Sequence, residues 1–471
     1  MSKQDEKVVI VGAGPGGIAA AAELSKHGIK SCLIDEAPKA GGVIYRGPLR
    51  ATNSLPHLDE NLRRSLSAIQ TRLKAHLHNI DLKLSTKVLG PEASNTLLLS
   101  HQEQLSTVKY DSLILATGCH ERSVPFPGWQ LPGVMMMGGI QLQLKSNLVR
   151  PGSRIALVGT GALLPLIACQ MHKAGIEVAG VFEASAFSSL AKEVLALSNR
   201  PQLALSGLSM LAYLKRHKVP VKYGWGVVQA IAGNDKDNSR INQVEVAPYD
   251  ENWNADLSHS QILDVDCLGV GYGFVSRSQL GQMMGLDYDY QAISGVTPVK
   301  SKMYQSSVPG IYVVGDSAGL LGADAAIYQG RLAALEIAQK QGKLSDAQTA
   351  KASSKLLRRI ERVKRFRDGF DRFSSRKTGL LNLPDKDTLV CRCENVSRAQ
   401  IDTALEQGVK DMASLKMRTR VCMGDCQGKI CASYCYDRLE QAGFKQQMGI
   451  ARPRFPLDLI SFATLEEQRK H

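Results

Sequence analysis

A glycine-rich turn near the start of the chain narrows the choice of fold. Residues 7–11 (KVVIV) form the short apolar run of a buried parallel strand, and Gly12-Ala-Gly14-Pro15-Gly16-Gly17 follows at once, ahead of an alanine-rich helical stretch. Gly12 permits the tight turn, Gly14 lets a pyrophosphate approach the backbone, and Gly17 lets the helix pack closely on the strand. Free N–H groups and the macrodipole at the helix start favour the anion. The pattern predicts a dinucleotide-binding α/β unit.

A second apolar strand ends in an acidic pair at the spacing where a carboxylate can accept from ribose hydroxyls. Residues 31–34 (SCLI) form this strand, and Asp35 and Glu36 follow it. We prefer Asp35 as the ribose ligand and keep Glu36 as the alternative. A glycine-rich turn without a ligand is the competing interpretation, and the order of strand, helix and acid argues against it.

The positive charge is concentrated in one segment. The 471 residues carry a formal charge of +14, and residues 351–377 alone hold 11 basic and 3 acidic residues. The apolar residues of this segment have the spacing of a helix stripe: Leu356, Leu357, Ile360, Val363 and Phe366. We therefore expect an interdomain helix with a solvated or partner-facing basic side. No helix-turn-helix, zinc-finger or RNA-recognition motif occurs, so a nucleic-acid partner is not expected.

The chain has no sequence signal for a membrane span. No run approaches the roughly 18 consecutive apolar residues that a spanning helix needs. The segment from Met1 to Lys7 is short and polar and lacks the apolar core and cleavage site of a signal peptide. We expect a cytoplasmic protein, with at most peripheral contact at the inner face of the membrane.

Two later segments resemble the "ATG" and "GD" motifs of the two-dinucleotide-domain flavoproteins, the pyridine nucleotide-disulfide oxidoreductase-like class. Residues 110–118 end in Ala-Thr-Gly, and residues 310–316 end in Gly-Asp ahead of a helix-like stretch. Residues 41–46 (GGVIYR) resemble the loop beside the flavin in that class. The resemblance implies FAD, with Asp316 at its ribityl and phosphate end. The expected cofactor contacts are Gly12, Gly14, Pro15, Gly17, Asp35, Glu36, Gly42, Arg46, Ala116, Thr117, Gly118, Gly315, Asp316 and Ala325.

A second strand-turn-helix unit repeats the first in degenerate form. Residues 154–165 read RIALVGTGALLP, so Leu164 replaces the third glycine of the turn, and residues 177–183 make a strand that ends in Glu183. A leucine there should push the helix away or fill the site. We prefer a retained scaffold that has lost its NAD(P)H pocket, with a working NAD(P)H site as the alternative.

His120 lies just after the "ATG" motif. We interpret it as a structural residue, with a position near the flavin ring as the alternative.

The cysteines point to a metal centre near the C-terminus. Six of the ten cysteines lie between Cys391 and Cys435, and 32 residues separate Cys393 from Cys426. Four thiolates suit either Zn²⁺ or a [2Fe–2S] cluster, and glycines in the loop give cluster sulfurs close backbone N–H donors. Zinc is the default for an isolated four-cysteine module but explains less beside a flavin. No CxxC pair occurs in the first 390 residues, so reduction of a disulfide through a redox-active pair is not expected.

The cysteine arrangement resembles the bacterioferritin-associated-ferredoxin-like (BFD-like) [2Fe–2S] domain. It departs from that pattern in the second pair, because four residues separate Cys426 from Cys431 where two are usual. The resemblance implies cluster ligation by Cys391, Cys393, Cys426 and Cys431. Cys422 is an extra candidate, and Cys435 is expected only to pack.

Nearly the full length resembles the FAD-binding subunit of heteromeric amine dehydrogenases. That group includes the opine oxidase and D-hydroxyproline dehydrogenase alpha subunits and one subunit of hydrogen cyanide synthase. The carrying motifs are the GGVIYR loop, the degenerate second turn, CRCE (391–394) and TRVCMGDCQGKIC (419–431). The resemblance implies an α/β two-dinucleotide-binding-domain fold of the three-layer ββα type, plus a small α-helical BFD-like [2Fe–2S] domain at the C-terminal end.

The same resemblance implies a division of labour between subunits. Oxidation of a C–N bond in an amino acid, imino acid or opine would occur on a catalytic flavoprotein partner with a D-amino-acid-oxidase-like fold, and this chain would relay electrons. The resemblance does not decide whether the complex has a small third subunit, or whether an FMN binds at the interface with the partner. The alternatives are a self-sufficient NAD(P)H-dependent FAD oxidoreductase and a non-enzymatic iron–sulfur sensor.

The motifs divide the chain into six segments. The expected boundaries are 1–120 and 291–345 for the two parts of the FAD domain, 121–290 for the inserted NAD(P)-like domain, 346–384 for the basic linker helix, 385–445 for the BFD-like domain and 446–471 for a C-terminal tail.

Overall fold

The computed structural model describes residues 6–48, 57, 60–193, 196, 198–233 and 240–468. The first five residues, which belong to the polar N-terminal segment, lie outside these ranges, as do the last three. In the described ranges no helix has the length and apolar character that crossing a membrane requires.

Strands and helices alternate through the first two thirds of the chain. The strands are β1 (Val8–Val11), β2 (Ser31–Ile34), β3 (Ile80–Lys83), β4 (Thr86–Ala93), β5 (Thr96–His101), β6 (Gln104–Lys109), β7 (Ser112–Leu115), β8 (Cys119–Glu121), β9 (Val134–Met136), β10 (Arg154–Gly159), β11 (Glu177–Glu183), β12 (Val221–Tyr223), β13 (Trp225–Ala232), β14 (Ile241–Pro248), β15 (Gln261–Asp264), β16 (Cys267–Gly271), β17 (Phe274–Ser276), β18 (Tyr288–Gln291), β19 (Gly295–Pro298), β20 (Ile311–Val313), β21 (Leu389–Cys391) and β22 (Val396–Ser397).

The two longest α-helices of the described ranges follow one another between residues 323 and 374. The α-helices are α1 (Pro15–Lys26), α2 (Gly42–Tyr45), α3 (Glu60–Ala75), α4 (Met137–Leu142), α5 (Leu163–Lys173), α6 (Phe187–Lys192), α7 (Pro201–Arg216), α8 (Gln279–Met283), α9 (Ala323–Lys340), α10 (Asp346–Ser374), α11 (Arg398–Glu406), α12 (Met412–Thr419), α13 (Ala432–Gln441) and α14 (Phe462–Gln468).

Two parallel five-stranded sheets form the centres of the first two units. The first has the order β20-β7-β1-β2-β3 and the second the order β12-β11-β10-β16-β9. Helices cover parallel sheets on their faces, which explains why all four residues of β1 are buried. A three-stranded antiparallel sheet completes each unit, β4-β5-β6 in the first and β13-β14-β15 in the second. The predicted two-unit flavoprotein fold is confirmed.

Helices α1 and α9 pack together through glycines on the first sheet. A Cβ atom on Gly330 would lie 2.1 Å from the carbonyl oxygen of Gly16. Such an approach is available only to a residue without a side chain. The contact brings the N-terminal ends of α1 and α9 to the same side of the sheet, beside the carboxyl ends of β1, β7 and β20.

The small third unit is helical, with its own core. A short hairpin of β21 and β22 precedes α11, α12 and α13. Helix α11 begins with the capping box predicted from the sequence, in which Ser397 and Gln400 bond reciprocally, and Gly408 (φ +91°) follows its end. Val390, Ile401, Leu415 and Leu439 are buried at the centre of the unit.

Helix α10 is the basic segment, and it crosses from the first unit to the second. Its buried side includes the predicted Leu356, Ile360 and Val363 and continues to Gly369 and Phe373. Packing at Gly369 is tight, because a Cβ atom there would lie 2.2 Å from Cβ of Ala196. The basic side chains of the middle of the helix, such as Arg358 and Arg359, are exposed.

A buried charge network attaches the third unit to the first. Asp437 on α13 accepts hydrogen bonds from both terminal nitrogens of Arg376 and from the hydroxyl of Tyr290. Arg122, only 1% exposed, lies 3.9 Å from the same carboxylate and donates to the carbonyls of Ala292 and Ile293. The ring of Tyr290 stacks on Tyr436 at 4.8 Å between centroids. Burial alone would raise the pKa of Asp437, but the charges of Arg376 and Arg122 hold it below its usual value.

We expect Asp437→Asn to weaken the attachment of the third unit by about 3 kcal/mol, because breaking a buried ion pair leaves its partner charge uncompensated. Since the folded pKa of Asp437 is lowered, the same stability is present at neutral pH and is lost as the pH falls through that pKa. Urea unfolding followed by tyrosine fluorescence measures the change. Glu440→Gln is the control: it removes the half-exposed pair with Lys445 and should change stability by less than about 0.5 kcal/mol. Equal effects of the two substitutions would contradict the assignment.

Candidate functional site

The first glycine-rich turn has no room for side chains where the sequence predicted none. Gly12 has φ +107°, and a Cβ atom on it would lie 2.3 Å from the carbonyl oxygen of Ala116. A Cβ atom on Gly17 would lie 1.9 Å from the carbonyl oxygen of Gly12. At Gly14 a Cβ atom would meet only Cα of Gly42, at 3.8 Å, so this glycine keeps an open side. The turn therefore holds α1 tightly on β1 and leaves backbone accessible at Gly14, as a pyrophosphate site requires.

The GGVIYR loop lies against this turn. Gly41 donates its N–H to the carbonyl of Ala13 at 2.8 Å, and Gly42 has φ +72°. Lys145, which the sequence analysis did not identify, holds the loop by hydrogen bonds. It lies in a π-helical turn after α4, is buried, and donates to the carbonyls of Val43 and Ile44 at 3.0 and 3.1 Å. Burial, together with the charge of Arg46, lowers the pKa of Lys145 to about 8.

The acidic pair after β2 divides into two environments. Asp35 accepts from the N–H groups of Ala13 and Ala37 at 2.6 and 2.8 Å, so it is fixed beside the turn. Burial raises its pKa, and these two N–H groups oppose the shift. Glu36 is half exposed and pairs with Arg277 at 3.2 Å. Arg277 also donates its backbone N–H to the carbonyl of Gly118, so it lies between the two predicted segments.

The "ATG" and "GD" segments meet at the carboxyl ends of neighbouring strands. Strand β20 pairs with β7, and Val314 continues the ladder by donating to the carbonyl of Leu115 at 2.9 Å. Asp316 accepts from the N–H of Gly322 at 2.9 Å, at the start of α9, whose first-turn residue Ala325 is fully buried. On the other side, Ser276 donates to the carbonyl of Asp316 at 2.6 Å. The structure thus brings all the predicted segments to one edge of the first sheet.

The residues at this edge fit FAD. Helices α1 and α9 both begin at a glycine, Gly14 and Gly322, and neither glycine supplies a side-chain cap. The amide groups of both first turns are therefore available to phosphate oxygens. A carboxylate (Asp35) and a loop rich in glycine complete the set expected for the adenosine and pyrophosphate half. The individual contacts remain predictions.

The second turn is closed by helix α10. Gly159 and Gly161 have the positive φ angles of a nucleotide turn, +144° and +104°. However, a Cβ atom on Gly161 would lie 3.5 Å from the ring of Phe370, and Ser185 donates to the carbonyl of Phe373 at 2.7 Å. The end of α10 therefore covers the place where a nicotinamide dinucleotide would bind.

The acid of the second unit is also used internally. Glu183 is buried and accepts the N–H of Gly161 at 2.8 Å and that of Ser185 at 3.0 Å. In the first unit the corresponding acid binds the residue before Gly14 and leaves the glycine itself open. Burial raises the pKa of Glu183 to about 7, against these hydrogen bonds. Leu164 is 1% exposed and packs in the core under the turn.

The predicted cluster cysteines are together in the third unit. The thiols of Cys391 and Cys431 lie close enough to interact, and so do those of Cys393 and Cys426. Cys431 also accepts the N–H of Cys422 at 3.3 Å, and these two sulfurs are 3.7 Å apart. Cys435 is fully buried in the core, as expected for a packing residue.

This arrangement fits a binuclear cluster. Two pairs of thiols suit a centre in which each of two irons takes two thiolates. A Cβ atom on Gly424 would lie 2.2 Å from Cβ of Cys393, and one on Gly428 would lie 3.0 Å from Sγ of Cys422. The loop glycines therefore let the backbone come close to the sulfurs.

Fold and sites together define an FAD- and [2Fe–2S]-dependent oxidoreductase. The chain matches the pyridine nucleotide-disulphide oxidoreductase family over residues 6–342 and the BFD-like [2Fe-2S] binding domain over residues 389–441. It belongs to the pyridine nucleotide-disulphide oxidoreductase family, with a BFD-like domain at its C-terminal end.

Relatives match the chain across nearly its whole length. The HcnB subunit of hydrogen cyanide synthase from Pseudomonas protegens is 48% identical over 456 residues, which cover 97% of this chain and 96% of the relative. The A subunit of opine oxidase from Rhizobium meliloti is 30% identical over 478 residues, 98% of each chain.

Solved structures support the fold. L-proline dehydrogenase from P. horikoshii superposes with a TM-score of 0.68 at 20% identity, over 98% of this chain and 79% of that one. Thioredoxin reductase from T. acidophilum has a TM-score of 0.51 at 16% identity and covers 72% of this chain and 99% of its own.

Substitutions can distinguish the predicted cluster ligands from Cys422, the additional candidate. We expect Cys391→Ser or Cys431→Ser to abolish the cluster bands in the visible spectrum and the bound sulfide. Cys422→Gly should retain both, because Cys422 has φ +63°, where glycine is unstrained, and contributes its backbone N–H rather than its thiol. Loss of the cluster in Cys422→Gly, with retention in Cys426→Ser or Cys431→Ser, would make Cys422 a ligand.

Proposed function

We propose that the chain is the electron-relay subunit of a heteromeric dehydrogenase that oxidises a C–N bond of an amino or imino acid on a partner subunit. When bound, FAD supplies a centre that exchanges electrons in pairs or singly, and the [2Fe–2S] cluster one that exchanges them singly. The observation that carries the proposal is the direct attachment of the third unit to the first through the Asp437 network. The third unit (the cluster unit) holds the cluster cysteines, and the first unit (the FAD unit) holds the FAD motifs.

The closed second turn supports a source of electrons other than NAD(P)H. Phe370 lies over Gly161, and the carboxylate of Glu183 accepts the N–H of Gly161, which a pyrophosphate would need as a donor. The first 390 residues also contain no CxxC pair that could receive electrons from a thiol substrate. Electrons would therefore enter from outside the chain, from a partner that carries the substrate site.

The names of the relatives favour oxidation of a carbon–nitrogen bond. Opine oxidase and sarcosine oxidase, whose A and alpha subunits resemble this chain, are named for amines that carry a carboxylate, and HcnB is named for the formation of hydrogen cyanide. Loss of two electrons and two protons converts the C–N single bond of an amine to an imine. A second loss of two electrons and two protons, with departure of the carboxylate as CO2, converts the imine of an amino acid to a nitrile, so both products follow from the same kind of oxidation. Because the identity is 48% to HcnB and 30% to the opine oxidase chain, we place cyanide formation from a small amino acid first.

The proposal extends to the partners. The catalytic subunit would be a flavoprotein with a D-amino-acid-oxidase-like fold. An FMN at its interface with this chain and a small third subunit belong to the same proposal, as does peripheral membrane contact if the final acceptor is a quinone.

Reconstitution with and without the partner tests the relay. We expect the isolated chain to show flavin and cluster bands and no amino acid oxidation, because its FAD site holds no evident acid–base pair. The co-purified complex should oxidise the substrate. Cys391→Ser in the complex should leave reduction of the partner's flavin intact and slow delivery to a one-electron acceptor by about 10-fold or more. Oxidation by the isolated chain at the rate of the complex would overturn the proposal.

Indifference to NADH distinguishes the relay from a self-sufficient reductase. We expect no bleaching of the flavin when NADH or NADPH is added anaerobically to the full chain. Leu164→Gly should not create the activity, since Phe370 and Glu183 still close the turn. The flavin absorbance measures the outcome, with dithionite as the positive control. Rapid bleaching by either nucleotide would favour the NAD(P)H-dependent alternative.

A further inference from the structure

His120 lies where the FAD unit meets the cluster unit. It is the central residue of β8, two positions after Gly118 of the "ATG" motif, and it pairs with Val275 of β17. Its neighbour Cys119 points to the carboxylate of Asp316, with 3.7 Å between sulfur and oxygen. The strand therefore runs from the predicted flavin contacts to the side of the molecule on which α13 and the cluster cysteines pack.

The imidazole of His120 bonds the cluster loop, defined as residues 422–431. Its Nε2 lies 3.0 Å from the carbonyl oxygen of Lys429, two residues before Cys431. A carbonyl can only accept, so Nε2 carries the hydrogen and Nδ1 is an acceptor. Burial, with the nearby charge of Arg277, lowers the pKa of His120 to about 4, so the ring is neutral at physiological pH.

The space beside this bond is nearly filled. A cavity of about 40 Å³ separates the two units here, and His120, Ser276, Cys422 and Gly428 are among the residues that line it. Ser276 is the residue whose hydroxyl bonds the carbonyl of Asp316. A cavity of this size admits water but not a mobile redox carrier, so a carrier that diffuses between the units does not fit here.

We propose that His120 is the residue through which the flavin site and the [2Fe–2S] cluster are electronically connected. It joins them by a short chain of covalent bonds and one hydrogen bond, from Gly118 through the imidazole to Lys429 and Cys431. It acts as a positioning residue, since it holds the cluster loop against β8. Electrons tunnel more readily along covalent and hydrogen bonds than across gaps between atoms in van der Waals contact.

The step that this connection serves is balanced. One electron passes from two-electron-reduced FAD to the oxidised [2Fe–2S] cluster, no heavy-atom bond forms or breaks, and a flavin proton is released to solvent. The second electron follows after the cluster has been reoxidised by an external one-electron acceptor, a quinone or a soluble carrier. The inference rests on the proposed relay function and adds the route inside the chain.

Two amide variants of different reach test the connection. In His120→Gln the side-chain amide has an N–H donor at nearly the distance of Nε2, whereas in His120→Asn the same group is one carbon too short. His120→Phe keeps the ring and removes the donor, and His259→Phe repeats that change at an exposed histidine. In each full-length holoprotein, the flavin is photoreduced by a light pulse with EDTA as donor, and the cluster is followed by visible absorbance. Spectroelectrochemistry gives the potentials of both centres.

We expect His120→Phe and His120→Asn to slow transfer from flavin to cluster by about 10-fold, the size of effect typical of outer contacts to a metal site. His120→Gln should restore most of the rate, and His259→Phe should not change it. The flavin and cluster contents and the potentials should stay the same. Unchanged rates in His120→Phe, equal rates in His120→Gln and His120→Asn, or slowing fully accounted for by shifted potentials would overturn the assignment.

The same experiment keeps the two proposals apart. If the flavin of the unaltered protein reduces the cluster and the His120 variants show the same rate, the proposed relay function is supported and the proposed path through His120 is wrong. If the reduced flavin of the unaltered protein never reduces the cluster, both the proposed relay function and the proposed path through His120 are wrong. Should His120→Phe lose its cluster on purification, the comparison of His120→Gln with His120→Asn decides, since both retain an amide.

Discussion

One buried carboxylate joins the unit that holds the cluster cysteines to the unit that holds the flavin motifs. Asp437 is surrounded by Arg122, Arg376 and Tyr290, which come from the end of β8, the segment after α10, and β18. Removing ions from water is expensive, so such a group persists only when each charge is paired and hydrogen-bonded. Here the paired groups come from both sides of the contact between the units. The network therefore helps to place the cluster cysteines relative to β8 and the flavin motifs.

Helix α10 connects this arrangement to the degenerate second unit. Its Phe370 and Phe373 pack on the second turn, Arg372 pairs with Glu193, and the chain then delivers Arg376 to Asp437. A pocket kept open for a nicotinamide dinucleotide could not serve as the support for this helix. The second unit has the framework of a nucleotide-binding domain, and the face beside its glycine-rich turn supports the chain's own linker helix. Leu164 is 1% exposed and packs in the core under that turn.

Local patterns predicted the elements that depend on local physics. The strand-turn-helix of residues 8–26, the capping box of Ser397 and Gln400, and the apolar stripe of Leu356, Ile360 and Val363 each follow from neighbours a few residues apart. The sequence did not reveal Lys145 beneath the GGVIYR loop, Arg277 beside Glu36, or the packing of Phe370 on Gly161. These contacts join residues roughly 100 to 240 positions apart, and a lysine, an arginine and a phenylalanine carry no signal of their partners. A basic amphipathic helix could be recognised as such, but not the surface that it would cover.

The position of His120 shows why a structural and a functional interpretation of one residue need not compete. A histidine that only packed would not require a defined tautomer, whereas the carbonyl of Lys429 imposes one. The same bond that holds the cluster loop in place is also a bonded link between the flavin motif and a cluster cysteine. A single bond can therefore hold the two units together and connect their cofactors. Because the Asp437 network already fixes the units in place, the bond at His120 can be altered without releasing them, and its contribution to electron transfer can be measured separately from its contribution to stability.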